Sequence, residues 1–174
     1  MNIQYRSSDT YNINDSGLIV QLPTLTKTIG DSYPGHFKWL ADTFVKGLQQ
    51  GKERGYSFAV DYDNFIDFPY GSLFDSIGVY KLSGCALLKN TPEEKKLCCL
   101  FIDPAYRKQG IASKLVENSF EILGTTKPFL TIAENNLSQL QGIIKKYGFE
   151  LTSVKESVYK KGIREYYYNE GLAR

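Results

Sequence analysis

Residues 97–124, LCCLFIDPAYRKQGIASKLVENSFEILG, constrain this chain more than any other stretch. Leu97 to Ile102 is an unbroken apolar run of the length of a buried strand. Asp103-Pro104 ends it, because proline has no amide to give a ladder and drives the residue before it out of helical geometry. A basic turn follows, Tyr106-Arg107-Lys108-Gln109-Gly110. From Ile111 the spacing becomes helical, with Ile111, Ala112, Leu115, Val116, Phe120 and Leu123 on one face. Gly124 stands where a left-handed C-terminal cap belongs.

Strand, cationic turn and helix together make an anion-binding geometry. The first amides of a helix lack intrahelical acceptors, and the aligned peptide dipoles leave about half a positive charge beside them. Gly110 admits a ligand to the backbone, Ala112 and Ser113 keep the next turn slim, and Arg107 and Lys108 add charge. A pyrophosphate is the guest such a turn suits. On composition alone, an ordinary loop with solvated basic residues satisfies the same pattern. The chain contains neither G-x-G-x-x-G nor G-x-x-x-x-G-K-S/T.

The 174 residues are expected to form a single domain, 1–174. A net charge of +2 gives no electrostatic case for nucleic acid or membrane as main partner, even with Lys145, Lys146, Lys160 and Lys161 in two basic turns. No membrane span or signal sequence is legible, and Cys85, Cys98 and Cys99 have neither a disulfide framework nor zinc spacing. A cytoplasmic protein without a metal site is expected.

Along the chain, Asn2 to Arg6 and Gly17 to Leu22 read as strands. Phe37, Leu40, Ala41, Phe44, Val45 and Leu48 give a helix opened by Pro34 and closed by Gly51. His36, the lone histidine, has no partner cluster and reads as structural. Tyr56 to Phe74 holds seven aromatics and three aspartates, Asp61, Asp63 and Asp67, with no lysine or arginine. Its start reads as a strand and Asp63 to Gly71 as a loop. Such a loop suits a cationic amine through charge and cation–π contact; equally, its aromatics could plug a sheet edge while its aspartates make turns. Ile77–Leu82 and Cys85–Lys89 about Ser83-Gly84 read as a hairpin. Pro128 to Ala133 reads as a strand, Leu137 to Lys146 as a helix stopped by Gly148, and residues 149–158 and 163–168 as closing strands. Strands alternating with helices imply an α/β or α+β layer.

Arg107-x-x-Gly110-x-Ala112 after Leu100-x-Ile102-x-Pro104 resembles the acetyl-coenzyme A signature of the GNAT N-acetyltransferase superfamily. The resemblance continues through Thr131-Ile132-Ala133-Glu134-Asn135-Asn136 and Lys145-Lys146-Tyr147-Gly148-Phe149, covering roughly residues 76–168. It implies a mixed, mostly antiparallel sheet flanked by helices, with acetyl-CoA as cosubstrate. Leu100, Phe101 and Ile102 would pair with the pantetheine arm, and Phe101 or a neighbour would donate to the acetyl carbonyl. Arg107, Lys108, Gln109, Gly110, Ile111 and Ala112 would hold the pyrophosphate, with Ser113 close by. Asn136 would face the arm; as a helix N-cap it has a second, compatible reading.

The catalytic groups are less marked. Ile144 occupies the position of the tyrosine that in many family members protonates the leaving sulfur, and Tyr147 is the nearest hydroxyl, though its spacing also fits a core face. Cys98 and Cys99 stand where the family often has a glutamate. Glu134 is the preferred base acting through water, ahead of Asp75. The resemblance implies transfer to a primary amine by direct attack in a ternary complex. The acceptor, small molecule or protein, would enter beside residues 56–75, on a monomer or a homodimer. The missing tyrosine and glutamate leave a rival reading, a non-catalytic acyl-CoA sensor or interaction module.

Overall fold

The computed structural model describes residues 1–69 and 76–172. Its centre is a seven-stranded sheet of β1 (Ile3–Ser8), β2 (Arg54–Pro69), β3 (Ser76–Asn90), β4 (Lys95–Ile102), β5 (Phe129–Ala133), β6 (Leu151–Glu156) and β7 (Arg164–Tyr168). The strand order is β1-β2-β3-β4-β5-β7-β6. Every neighbouring pair is antiparallel except β4 and β5. This is the mixed, mostly antiparallel sheet that the sequence led us to expect.

Helices cover both faces. On one lie α1 (Ser16–Ile19), α2 (Leu22–Leu25), α3 (His36–Trp39) and α4 (Lys46–Gln49), the last two joined through a π-helical stretch, Leu40–Val45. Leu22, Phe44, Leu48, Phe58, Leu82 and Leu87 are buried between them and the sheet. On the other face, α5 (Ile111–Leu123) and α6 (Leu137–Tyr147) bury Leu88, Leu97, Leu115, Val116, Leu130 and Ile132. Gly124 and Gly148 take left-handed φ values of 67° and 60° as the C-terminal caps of these two helices. His36 is structural: it is buried, its Nε2 lies 2.8 Å from Thr26 Oγ1, and burial lowers its pKa.

Three local expectations are overturned. Gly17–Leu22 is helical: Leu18, Ile19 and Leu22 face inward while Val20 is exposed, a spacing of three and four rather than two. Between the helices, the Gln21 amide accepts from Leu82 N at 2.9 Å and donates to Tyr80 O at 2.9 Å. It thereby satisfies the edge of β3 before β4 begins to pair at Gly84.

Ser83-Gly84 is a bulge rather than a hairpin turn. Ala59 pairs with Gly84 and Val60 with Leu82, so Ser83 is the extra residue, its hydroxyl donating to Ala59 O at 2.9 Å. Gly84 is not among the positive-φ residues. What demands glycine there is close approach across the sheet, since a Cβ would lie 2.8 Å from Ile102 Cδ1.

The expected loop at Asp63 continues β2. Asp61 accepts from Asp63 N and the Asn64 amide in a local turn, after which pairing resumes at Phe65↔Tyr80. Tyr62 and Phe65 pack their rings on Tyr80, with centroids 4.2 and 5.3 Å apart. Asp63 takes the N-terminal ammonium of Met1 at 2.9 Å. Both carboxylates therefore have internal partners. The rest of that expected loop, including Gly71, lies in residues 70–75, outside the described residues, as does Asp75.

Candidate active site

β4 and β5 pair only at Lys96↔Phe129 and Leu97↔Leu130, and then part. At the parting point β4 carries a bulge: Leu97 pairs with Leu88 and Cys99 with Leu87, leaving Cys98 as the extra residue. This interrupts at Cys98 and Cys99 the side-chain alternation of a regular strand. Beyond it, residues 98–102 and 131–133 are not paired with each other, so the sheet parts into a cleft between the two strands. Leu100 and Ile102 lean toward the α5 face and Phe101 toward the α1–α4 face. Main-chain groups along such a strand edge can take an extended ligand as one more strand.

The basic turn sits at the mouth of this cleft on the α5 face. Lys108 and Gly110 have φ of 63° and 79°, so two residues of the turn are left-handed before α5 starts. Lys114 N is the first amide bonded within the helix, to Gly110 O at 3.2 Å. The amides of Lys108, Gln109, Gly110, Ile111, Ala112 and Ser113 have no acceptor among the described residues. Nothing lies within 4 Å of a Cβ built on Gly110. The turn is thus a cradle of free donors at a helix N-terminus, which fits a diphosphate. Arg107 adds charge, but its Nε donates to Ile102 O at 3.2 Å, so it also finishes the end of β4.

Two buried side chains fix the turn. Ile111 packs into the α5 core, and Tyr106 donates its hydroxyl to Asp61 Oδ2 at 2.8 Å. Burial, then the Asp61 contact, pushes the Tyr106 hydroxyl up to about 12. Burial would raise the Asp61 carboxyl, but hydrogen bonds from Asn64, Tyr106 and the Asp63 amide outweigh it and hold it below the ordinary carboxylate range. That stability is present at neutral pH and lost as pH falls through the depressed value. Tyr106→Phe is expected to lower stability by about 1–2 kcal/mol, with a smaller deficit at acid pH where Asp61 is protonated. Urea unfolding at pH 7 and at successively lower pH checks this.

On the opposite face an open cavity of about 350 Å³ lies beside Phe101, bounded by Leu25, Lys27, Ile66, Lys81 and Asp103. Asp103 has its carboxylate spoken for, by Ala105 N at 2.9 Å and Lys81 Nζ at 3.1 Å.

The structure does not gather the expected catalytic groups. Glu134 is ion-paired with Arg164, whose hydrogen bond holds its pKa below the ordinary range and so weakens it as a base. Tyr147 donates to Glu117 Oε1 at 2.7 Å and Ser113 O at 3.1 Å, and meets Phe120 edge-on at 5.3 Å. It ties α6 to α5, the packing role its spacing also allowed. Asn136 sits at the N-cap position of α6 without a side-chain cap bond; its amide donates to Ser32 Oγ at 3.2 Å. Burial raises the Cys98 thiol to about 11, and the Cys85 contact with burial raises Cys99, so neither favours a thiolate.

Two residues that sequence reasoning passed over meet at the end of β5. Tyr33 Oη accepts from Ala133 N at 2.9 Å and donates to Glu165 Oε1 at 2.8 Å. Ala133 lies past the last β4–β5 pair, on the wall of the cleft. Glu165 pairs opposite it on β7 and is 2% exposed. The one sequence signal was a carboxylate placed just before three consecutive tyrosines in the closing strand.

Residues 75–151 match the family model described as an acetyltransferase (GNAT) domain. Over that stretch the sequence is similar to a GNAT domain. No curated protein sequence matches the chain. Among solved structures, a putative GNAT-family acetyltransferase from Desulfovibrio desulfuricans superimposes with a TM-score of 0.65 at 14% identity, covering 96% of this chain and 97% of that one. The ribosomal-protein-S18-alanine N-acetyltransferase of Escherichia coli gives 0.63 at 15%, covering 95% and 92%. NAA60 of Arabidopsis thaliana in complex with acetyl-CoA gives 0.62 at 17%, covering 96% and 97%. At these identities the likeness establishes the GNAT fold. No helix among the described residues is long and apolar enough to cross a membrane.

Proposed function

We propose that the chain is an acetyl-CoA-dependent N-acetyltransferase that moves an acetyl group to a primary amine by direct attack in a ternary complex. One observation carries this. β4 parts from β5 after Leu97, the turn that follows β4 carries six amides without an acceptor among the described residues, and the cavity beside Phe101 lies against the same strand. A diphosphate on residues 108–113 would leave an extended arm to lie along residues 100–102, with its thioester at the parting of the strands. NAA60 of Arabidopsis thaliana, on the same fold, is in complex with acetyl-CoA, which supports the choice of ligand.

Bound there, acetyl-CoA supplies an activated acyl carbon and a thiolate leaving group. The protein must hold it, donate to the carbonyl oxygen from β4 backbone, and bring the amine from the other face. A direct transfer suits thiols held high by burial, since an acetyl-cysteine route needs a thiolate.

The acceptor would enter through the cavity lined by Lys27, Lys81 and Asp103 rather than beside Asp61 and Asp63, whose carboxylates are engaged. Thiol release measured over a panel of small amines and N-terminal peptides tests the reading. Turnover above the rate without protein is expected for at least one amine. Acetyl-CoA binding with no turnover across the panel would favour the sensor alternative.

A further inference from the structure

The proposed transfer leaves its proton acceptor unassigned. A lysine-like amine has an ordinary pKa near 10.4 and arrives as an ammonium, so a proton must leave before nitrogen can attack. Glu134, Asp61 and Asp103 are engaged, and the first two are held below the usual carboxylate range. Glu165 stands apart.

We propose that Tyr33 and Glu165 form the proton-accepting pair for the incoming amine, Tyr33 touching the nitrogen and Glu165 taking the proton behind it. This rests on the acetyl-transfer reading above. The Tyr33 hydroxyl sits at the end of β5, on the wall of the cleft beyond its last pair with β4. It accepts one bond from Ala133 N and gives its proton to Glu165, which leaves one lone pair for a donor in the cleft. The segment that carries Tyr33 also supplies Lys27 and Thr28 to the cavity beside Phe101. One stretch of chain thus spans the acceptor cavity and the cleft. Ser32, just before Tyr33, is buried and bonded to Asn135 and Asn136, which anchors the hydroxyl against the end of β5.

The groups facing Glu165 are Tyr33, Thr131 on β5, Lys96 on β4, Tyr167 on β7 and Tyr159 from the β6–β7 turn. Tyr159 packs edge-on against Tyr33 with centroids 5.1 Å apart. Burial raises the Glu165 carboxyl despite the hydroxyls of Tyr33 and Thr131 and the charge of Lys96. A raised carboxyl is a better match to an ammonium than an exposed one.

The step balances as follows. The ammonium passes one proton to Tyr33 Oη while Tyr33 passes its own to Glu165. The freed lone pair forms the C–N bond at the acyl carbon. The C–S bond breaks with its electron pair on sulfur, and a second proton from nitrogen reaches sulfur through solvent. Glu165 then returns its proton to water.

The test compares wild type with Glu165→Gln and Tyr33→Phe. Each variant should lose about 100-fold or more in kcat and keep acetyl-CoA Kd within about twofold, since neither side chain touches the anion cradle. The acid limb of the kcat/KM profile should vanish in Glu165→Gln. A second readout needs no turnover. A carboxyl with a raised folded value contributes stability below its unfolded pKa and loses it as pH rises through the folded one. Wild type should therefore lose stability on that rise, and Glu165→Gln should not. If glutamine at 165 prevents folding, Tyr33→Phe carries the kinetic test alone. A folded Glu165→Gln or Tyr33→Phe variant with wild-type kcat and an unchanged acid limb would overturn the pair. Wild type that binds no acetyl-CoA would overturn the transferase reading, and the pair with it.

Discussion

Valine in place of Gly110 should weaken acetyl-CoA binding by about tenfold to a hundredfold. Gly110 holds φ at 79°, a region a β-branched residue enters only under strain of about 1–3 kcal/mol. A Cβ there would meet no protein atom within 4 Å, so internal crowding is not the cause of the effect. The loss comes from the backbone itself. To relieve the strain, the turn between Lys108 and Ile111 must rotate, which reorients the amides that lack an acceptor there. Losing one or two charge-assisted hydrogen bonds, at about 1.5–3 kcal/mol each, corresponds to at least that fold-change. Calorimetric titration of both proteins with acetyl-CoA measures it. The core beneath should remain intact, because Tyr106 and Ile111 still anchor the turn.

The second large effect is on stability. Asp15 is 2% exposed and lies between Arg6 Nε at 2.7 Å and Tyr56 Oη at 2.6 Å. It joins the short helical segment before α1 to β1 and β2, and so holds the α1–α2 face on the sheet. Arg6→Met keeps the apolar stem and removes the charge, leaving a buried carboxylate with only the tyrosine hydroxyl. Breaking a buried pair from one side costs about 3–5 kcal/mol; partial exposure of Arg6 places the expected loss near the lower figure, about 3 kcal/mol. Urea denaturation should show a lower midpoint with an unchanged m value. The double variant Arg6→Met, Asp15→Asn should recover part of it, since the stranded charge is gone.

Where the sequence was legible, one face of one element carried the information. Ile111–Leu123 and Leu137–Tyr147 each bury a stripe whose period survives in the residues themselves, with Gly124 and Gly148 marking their ends, and Leu97–Ile102 stands out as a short apolar run. Gly17–Leu22 misled because Leu, Ile and Val in succession suit a strand locally. What makes it helical is distant: Gln21 must reach Tyr80 and Leu82, some sixty residues on. Ser83-Gly84 misled for the same reason, since glycine there answers to Ile102 on the next strand rather than to a turn. The candidate site divides along that line. The strand, turn and helix around residues 107–113 are contiguous, and that geometry was readable. The Tyr33–Glu165 pair joins residues 132 positions apart, and Glu134 attracted attention by adjacency while its Arg164 partner lay out of sight.

The account stands on the amides of residues 108–113 and the open edge of β4 holding a diphosphate and its arm. Titrating the ¹⁵N-labelled chain with acetyl-CoA and following backbone amides tests this directly. Saturable shifts should be largest at Lys108–Ser113 and next at Leu100–Ile102. Shifts confined to other surfaces, or none at millimolar ligand, would contradict it.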